Sequence, residues 1–179
     1  MTIDRCSGVL DVARQVPSPN CDARPAGTVI DLLVIHNISL PPGCFEGNAI
    51  DCFFTNRLDV EAHPYYAGIA DMRVSAHLLL RRDGSIIQYV PFSQRAWHAG
   101  ESCFQGRSRC NDYSIGIELE GTDELAYAEI QYQALQSLIT VLSQAYPGIR
   151  PGRIVGHCDI AAGRKTDPGP AFDWSRIQT

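Results

Sequence analysis

Five histidines, His36, His63, His77, His98 and His157, are the residues of this chain best suited to bind a metal or move a proton. His36 ends one apolar run and His157 another, each beside a loop, where a scaffold commonly presents reactive groups. Beyond His157 the chain reads Cys158-Asp159-Ile160-Ala161-Ala162-Gly163-Arg164-Lys165-Thr166-Asp167-Pro168-Gly169-Pro170, which sets a carboxylate, a lysine and an arginine on one constrained loop. Two histidines and a carboxylate make an open catalytic zinc site, the fourth position being left for water. A strand-end histidine is nevertheless more often a hydrogen-bonded core or rim residue, and Asp before Pro is a common turn former. His77, inside an apolar run, and His98, in Trp97-His98-Ala99-Gly100, compete equally for a metal role, and spacing does not choose between them.

The elements that would carry these groups are legible from periodicity. Val29 to Ile35 is almost continuously apolar and β-branched, as suits a strand covered on both faces, with His36 as its terminal residue. Val74 to Leu80 and Ile86 to Val90 read as two strands joined by Arg81-Arg82-Asp83-Gly84-Ser85, where Asp-Gly supplies the positive φ of a hairpin turn. In Ser114 to Glu120, Ile115, Ile117 and Leu119 share one face, and Gly116, Glu118 and Glu120 the other. An acidic strand face is ordinarily solvated. In a central strand, however, Glu118 would be partly desolvated and gain the raised pKa that a general base needs, while Gly116 leaves room for a substrate.

Ile130, Ala134, Leu138, Val141 or Leu142, and Ala145 recur at helical spacing until Pro147-Gly148, which predicts an amphipathic helix beginning near Ala128 without an evident cap. A shorter helix is expected over Ala49 to Arg57, and a last strand over Arg153 to His157. One hairpin with at least two crossovers predicts an α/β fold: a single domain with a central mixed β-sheet flanked by α-helices.

A length of 179 residues fits one domain, and 20% charged with 45% hydrophobic residues fits an ordinary globule. A formal net charge of −5, with no basic run longer than a pair, argues against nucleic acid as the main ligand. No segment is long and apolar enough for a membrane span, and the N-terminus lacks the apolar stretch of a secretory signal, so a cytoplasmic protein is expected. The seven cysteines are odd in number and contain no Cys-x-x-Cys, and so read as reduced thiols.

Several segments together resemble the zinc N-acetylmuramyl-L-alanine amidases of the 1,6-anhydro (AmpD) type, which share a fold with peptidoglycan recognition proteins and a phage lysozyme. The carriers are Leu33 to Gly43, Ala62-His63-Pro64-Tyr65-Tyr66, Val74-Ser75-Ala76-His77, Arg95 to Gly100, Cys110 to Gly121, Gly156 to Ala161 and Lys165 to Pro170. The resemblance implies one zinc ion per chain held by His36, His157 and Asp167, with Glu118 as catalytic carboxylate and Lys165 as its cationic partner. It leaves His77 and His98 packing or pocket roles. It further implies a substrate groove lined by Asn37, Tyr65, Arg73, Trp97, Arg109, Tyr113 and Arg164. Arginine forks suit the carboxylates of a cell-wall peptide, and an aromatic ring suits the apolar face of a sugar.

The expected organisation is an N-terminal extension, residues 1–28, packed on a catalytic domain, residues 29–179. The expected partner is a soluble anhydro-muropeptide, with neither nucleic acid nor membrane, and the expected state a monomer. The implied activity is cleavage of the lactyl-L-alanine amide bond during cytoplasmic cell-wall recycling, with an indirect effect on β-lactamase induction. The rivals are a lytic amidase acting on intact cell wall and a noncatalytic muropeptide-binding protein.

Overall fold

The computed structural model describes residues 1–177. Six strands form the main sheet: β1 (Arg14–Gln15), β2 (Leu32–Ile38), β3 (Leu78–Leu80), β4 (Ile86–Gln88), β5 (Ser114–Glu120) and β6 (Ile154–Gly156). Their spatial order is β6-β2-β5-β3-β4-β1. Every neighbouring pair is parallel except the β3–β4 hairpin, so the mixed α/β sheet anticipated from the sequence is the one found. Gly84 closes the hairpin loop at φ +84°, a conformation that favours glycine.

The central strand β5 is buried along its whole length. Its Ile115, Ile117 and Leu119 join Leu33, Ile35, Leu78 and Leu80 in a core packed against α3 (Glu129–Ala145), whose inner face is Tyr132, Leu135, Leu138, Ile139 and Leu142. Each of these large side chains contributes roughly 1.5–3 kcal/mol by leaving water, which outweighs the weak intrinsic stability of an isolated 17-residue helix. The other sheet face carries Leu79 and Ile87, covered by Ile50, Phe53 and Phe54 of α1 (Ala49–Phe54) and Tyr66 of α2 (Pro64–Ala67).

Several boundaries differ from expectation. Strand β2 starts late, at Leu32, since Val29 is exposed and Asp31 turns toward Arg153, and it continues to Ile38 because its ladder with β5 runs through Glu120, so His36 lies within it rather than at its end. Strand β6 stops at Gly156, and His157 opens a one-turn helix, α4 (His157–Ile160). Helix α1 ends at Phe54 instead of Arg57. The inner face of α3 is also rotated: Ile130 is exposed while Gln131 is buried. Gln131 accepts the Ala128 N–H at 3.0 Å and donates to the carbonyls of Leu80 (3.2 Å) and Glu120 (3.1 Å). It thereby supplies the missing cap and ties the helix start to two strand ends.

The first 28 residues contribute β1 at one sheet edge and the buried Leu10, while Cys21–Ala23 pairs with Gln94–Ala96. Arg24 donates to the carbonyls of Phe92, Asn111, Asp112 and Ser114, bracing the start of β5. Among the described residues, no helix is long and apolar enough to cross a membrane.

Candidate active site

The site lies at the carboxyl ends of the parallel strands β6, β2 and β5, the edge at which open α/β sheets usually bind ligands. His36 and Glu118 occupy partnered positions on β2 and β5 and therefore point to the same side. His157 follows β6 directly. Asp167 comes from the loop beyond α4, held by the Cys158 N–H donating to its carbonyl at 3.0 Å. Asn37, next to His36, donates to the Pro168 carbonyl at 3.1 Å and to Asp123 at 2.8 Å, which latches the same loop to the sheet.

Three potential ligand atoms meet here. His36 Nδ1 is 3.0 Å from His157 Nδ1 and 3.1 Å from Asp167 Oδ2, and His157 Nδ1 is 3.0 Å from Asp167 Oδ2. His157 Nε2 faces the Ala99 carbonyl at 3.3 Å. A carbonyl can only accept, so Nε2 carries a proton, and in the neutral ring, the form that can ligate a metal, Nδ1 keeps its lone pair, as assigned from this network. That lone pair and a carboxylate oxygen would repel at 3.0 Å. A divalent cation between them removes the repulsion, and a His-His-carboxylate set with an open position suits zinc. Burial, the dominant cause, holds His36 down to about 4, so its ring is neutral and available as a ligand at physiological pH.

Glu118 is buried beside this group, and its Oε2 has no hydrogen-bond partner. Burial first, and the charge of Asp167 second, push its carboxyl well above the ordinary value, while Lys165 opposes them. A buried carboxylate with a free oxygen is a proton acceptor waiting for a substrate. Glu120 is differently employed: its Oε2 accepts the Arg82 N–H at 3.2 Å, and Arg81 stands 3.7 Å from Oε1.

A cavity of about 370 Å³ opens over these groups. Of the twelve site residues implied by the resemblance, His36, Asn37, Tyr65, Trp97, Glu118, His157, Lys165 and Asp167 line it. Four others do not. Arg73 folds back onto the carbonyls of Ala70 and Met72. Arg109 is exposed and pairs with Asp112 at 3.2 Å. Tyr113 is 1% exposed, packed with Leu32, Val34 and Ile160, and donates its hydroxyl to the Arg107 carbonyl at 2.6 Å. Arg164 donates to the carbonyls of Ala99 and Glu101 and borders a separate depression. Each arginine thus has a local partner that draws it away from the cavity, and Tyr113 is a core residue.

Sequence reasoning missed Phe53, Ile69, Met72 and Val74, which give the cavity an apolar wall, and Asp123, which holds Asn37. Phe53 sits in the sequence like any helix core residue, and nothing in its spacing distinguishes it. His98 was visible only as one of several competing histidines. It lines the cavity and contacts His36 at 2.9 Å.

Comparison with known proteins gives this geometry a family. Residues 26–170 match the N-acetylmuramoyl-L-alanine amidase family. The 1,6-anhydro-N-acetylmuramyl-L-alanine amidase AmpD of Citrobacter freundii is 61% identical over 171 residues, covering 96% of this chain and 91% of the relative. A crystal structure of a selenomethionine AmpD derivative superposes with a TM-score of 0.95 at 60% identity, covering 99% of this chain and 97% of that one. The amidase AmiD of Escherichia coli, solved with anhydro-N-acetylmuramic acid-L-Ala-D-γ-Glu-L-Lys, has a TM-score of 0.60 at 32% identity, covering 86% of this chain and 59% of that one. With a matched family over most of its length and a relative of this identity across nearly all of it, the chain belongs to the N-acetylmuramoyl-L-alanine amidase family, as a member of its AmpD type.

Proposed function

We propose that this amidase cleaves the bond between the lactyl carbonyl of a 1,6-anhydro-N-acetylmuramyl peptide and its first L-alanine, using one zinc ion held by His36, His157 and Asp167. The observation that carries the reading is the convergence of His36 Nδ1, His157 Nδ1 and Asp167 Oδ2 beside the unpartnered buried carboxylate of Glu118. When bound, zinc supplies the Lewis acidity that makes water a nucleophile near neutral pH. Glu118 takes a proton from the attacking water as the new C–O bond forms at the lactyl carbonyl. It returns that proton to the alanine nitrogen as the C–N bond breaks, and so ends the cycle ionised. Lys165, which lines the cavity, then stabilises the oxyanion that develops between these steps.

Tyr65 and Trp97 offer apolar surface to the sugar and Asn37 a polar group at the cavity floor. The anhydro sugar is supported by the 1,6-anhydro-N-acetylmuramyl-L-alanine amidase activity of the AmpD relative and by the ligand of the AmiD complex. A cytoplasmic role in recycling cell-wall fragments, with an indirect influence on β-lactamase induction through their removal, follows from that choice of substrate. The test is to compare turnover on purified anhydro-muropeptide and on intact sacculi. Much faster cleavage of the soluble fragment supports recycling, and equal rates support a lytic enzyme instead.

A further inference from the structure

His36 meets His98 away from the three ligand atoms, and the hydrogen bonds behind that contact run in one direction. Ser114 Oγ lies 2.6 Å from the Cys110 carbonyl, which can only accept, so the hydroxyl proton points there. The same Oγ is then left to accept from His98 Nε2 at 3.0 Å. A neutral imidazole with its proton on Nε2 has a lone pair on Nδ1, and His98 Nδ1 faces His36 Nε2 at 2.9 Å. His36 must therefore carry its proton on Nε2, which leaves the Nδ1 lone pair directed at His157 and Asp167.

We propose that Ser114 and His98 form a relay of positioning residues that fixes the tautomer and ring orientation of His36, so that Nδ1 is always the atom presented to the metal. Two further features are built around it. The His98 ring lies over Gly116, where a Cβ would stand 2.5 Å from Cγ and 2.6 Å from Nδ1, so the space this glycine leaves is taken by the ring and not, as the sequence suggested, by a substrate. Asn111 Oδ1 accepts the N–H groups of His98 (3.1 Å) and Ala99 (2.8 Å), which anchors the backbone bearing both the His98 ring and the carbonyl that orients His157. A metal-ligating histidine gains basicity and a defined orientation from such a partner.

The inference rests on the zinc reading above, and its test separates the two. Zinc affinity of the full chain is measured by chelator competition for the wild type, His98→Leu, His98→Asn and Ser114→Ala. Asn and Leu are close in size, but Asn can offer an acceptor oxygen near the place of Nδ1. His98→Leu should weaken zinc binding roughly 10- to 100-fold and Ser114→Ala roughly tenfold, the usual range for such outer partners, while His98→Asn should retain most of the affinity. Equal weakening by Leu and Asn would reduce the effect to packing and overturn the relay, as would wild-type affinity in all three. If the His98 variants do not fold, Ser114→Ala, which removes one oxygen, decides alone: wild-type affinity there overturns the relay. A wild-type chain that takes up no zinc overturns the zinc reading and the relay with it.

Discussion

Glu118 and His36 stand opposite one another as partnered residues of two parallel strands at the centre of the sheet. The group proposed to move the proton and a group proposed to hold the metal are thus fixed by the same backbone ladder rather than by loops. Strand-borne groups keep their spacing with little reorganisation, which is what a site of this kind requires.

Glu118→Gln should keep the fold and the zinc while lowering kcat by about 10² to 10⁴, the usual worth of positioned acid–base catalysis. Gln has the size and hydrogen-bonding reach of Glu but cannot take a proton at neutral pH. The same substitution should raise the melting temperature of the metal-free protein at neutral pH, because it removes a buried carboxylate whose charged form is disfavoured by burial. A variant with near wild-type kcat, measured alongside its zinc content, would show that the carboxylate is structural.

Acid should destabilise the metal-free protein through its buried histidines. Burial lowers His36 to about 4 and holds His77 and His98 well below 6.5. Between about 6.5 and 4 the unfolded chain therefore binds protons on these rings that the folded chain refuses, and stability falls as pH falls. Glu118 and Glu120 act in the opposite sense, since burial raises both carboxyls and favours the folded state as they protonate, but the three imidazoles outnumber the two carboxyls. Denaturant midpoints recorded across this range should decline toward acid. A flat or rising profile would mean that the rings are not buried neutral.

Position in the cavity, rather than charge, should decide which residues govern substrate binding. Trp97→Ala should raise KM roughly tenfold, as expected from the loss of 1–2 kcal/mol of apolar contact. Arg109→Ala, at an exposed residue paired with Asp112, should leave KM within about twofold. Tyr113→Phe removes a buried hydroxyl contact and should cost about 1 kcal/mol of stability without changing KM. Steady-state kinetics with anhydro-muropeptide, together with thermal melts, distinguish these outcomes.

The parts legible in the sequence are those that leave a local pattern. Ser114 to Glu120 alternates strictly, so both its limits and its acidic face could be read, and Asp83-Gly84 marked the hairpin. The helix of α3 was legible, but its inner face was not, because Gln131 is buried for the sake of two strand-end carbonyls that lie far away in sequence. The two-residue strand Arg14–Gln15 carries too little periodicity to announce itself. At the site, His36, His157 and Asp167 could be grouped only through the resemblance, since their spacing left His77 and His98 as rivals. Arg73, Arg109 and Arg164 had charges suited to the ligand, yet each is claimed by a local partner that only the folded chain brings within reach.

A single zinc ion at His36, His157 and Asp167 is proposed to carry the hydrolysis. Zinc content and turnover of anhydro-muropeptide, followed together as the metal is withdrawn with a chelator and then restored, test it most directly. Activity should track occupancy to a limit of one zinc per chain and vanish without it, the melting temperature should fall as the metal leaves, and His36→Ala should lose both metal and activity. A metal-free protein with full amidase activity would exclude zinc from the reaction.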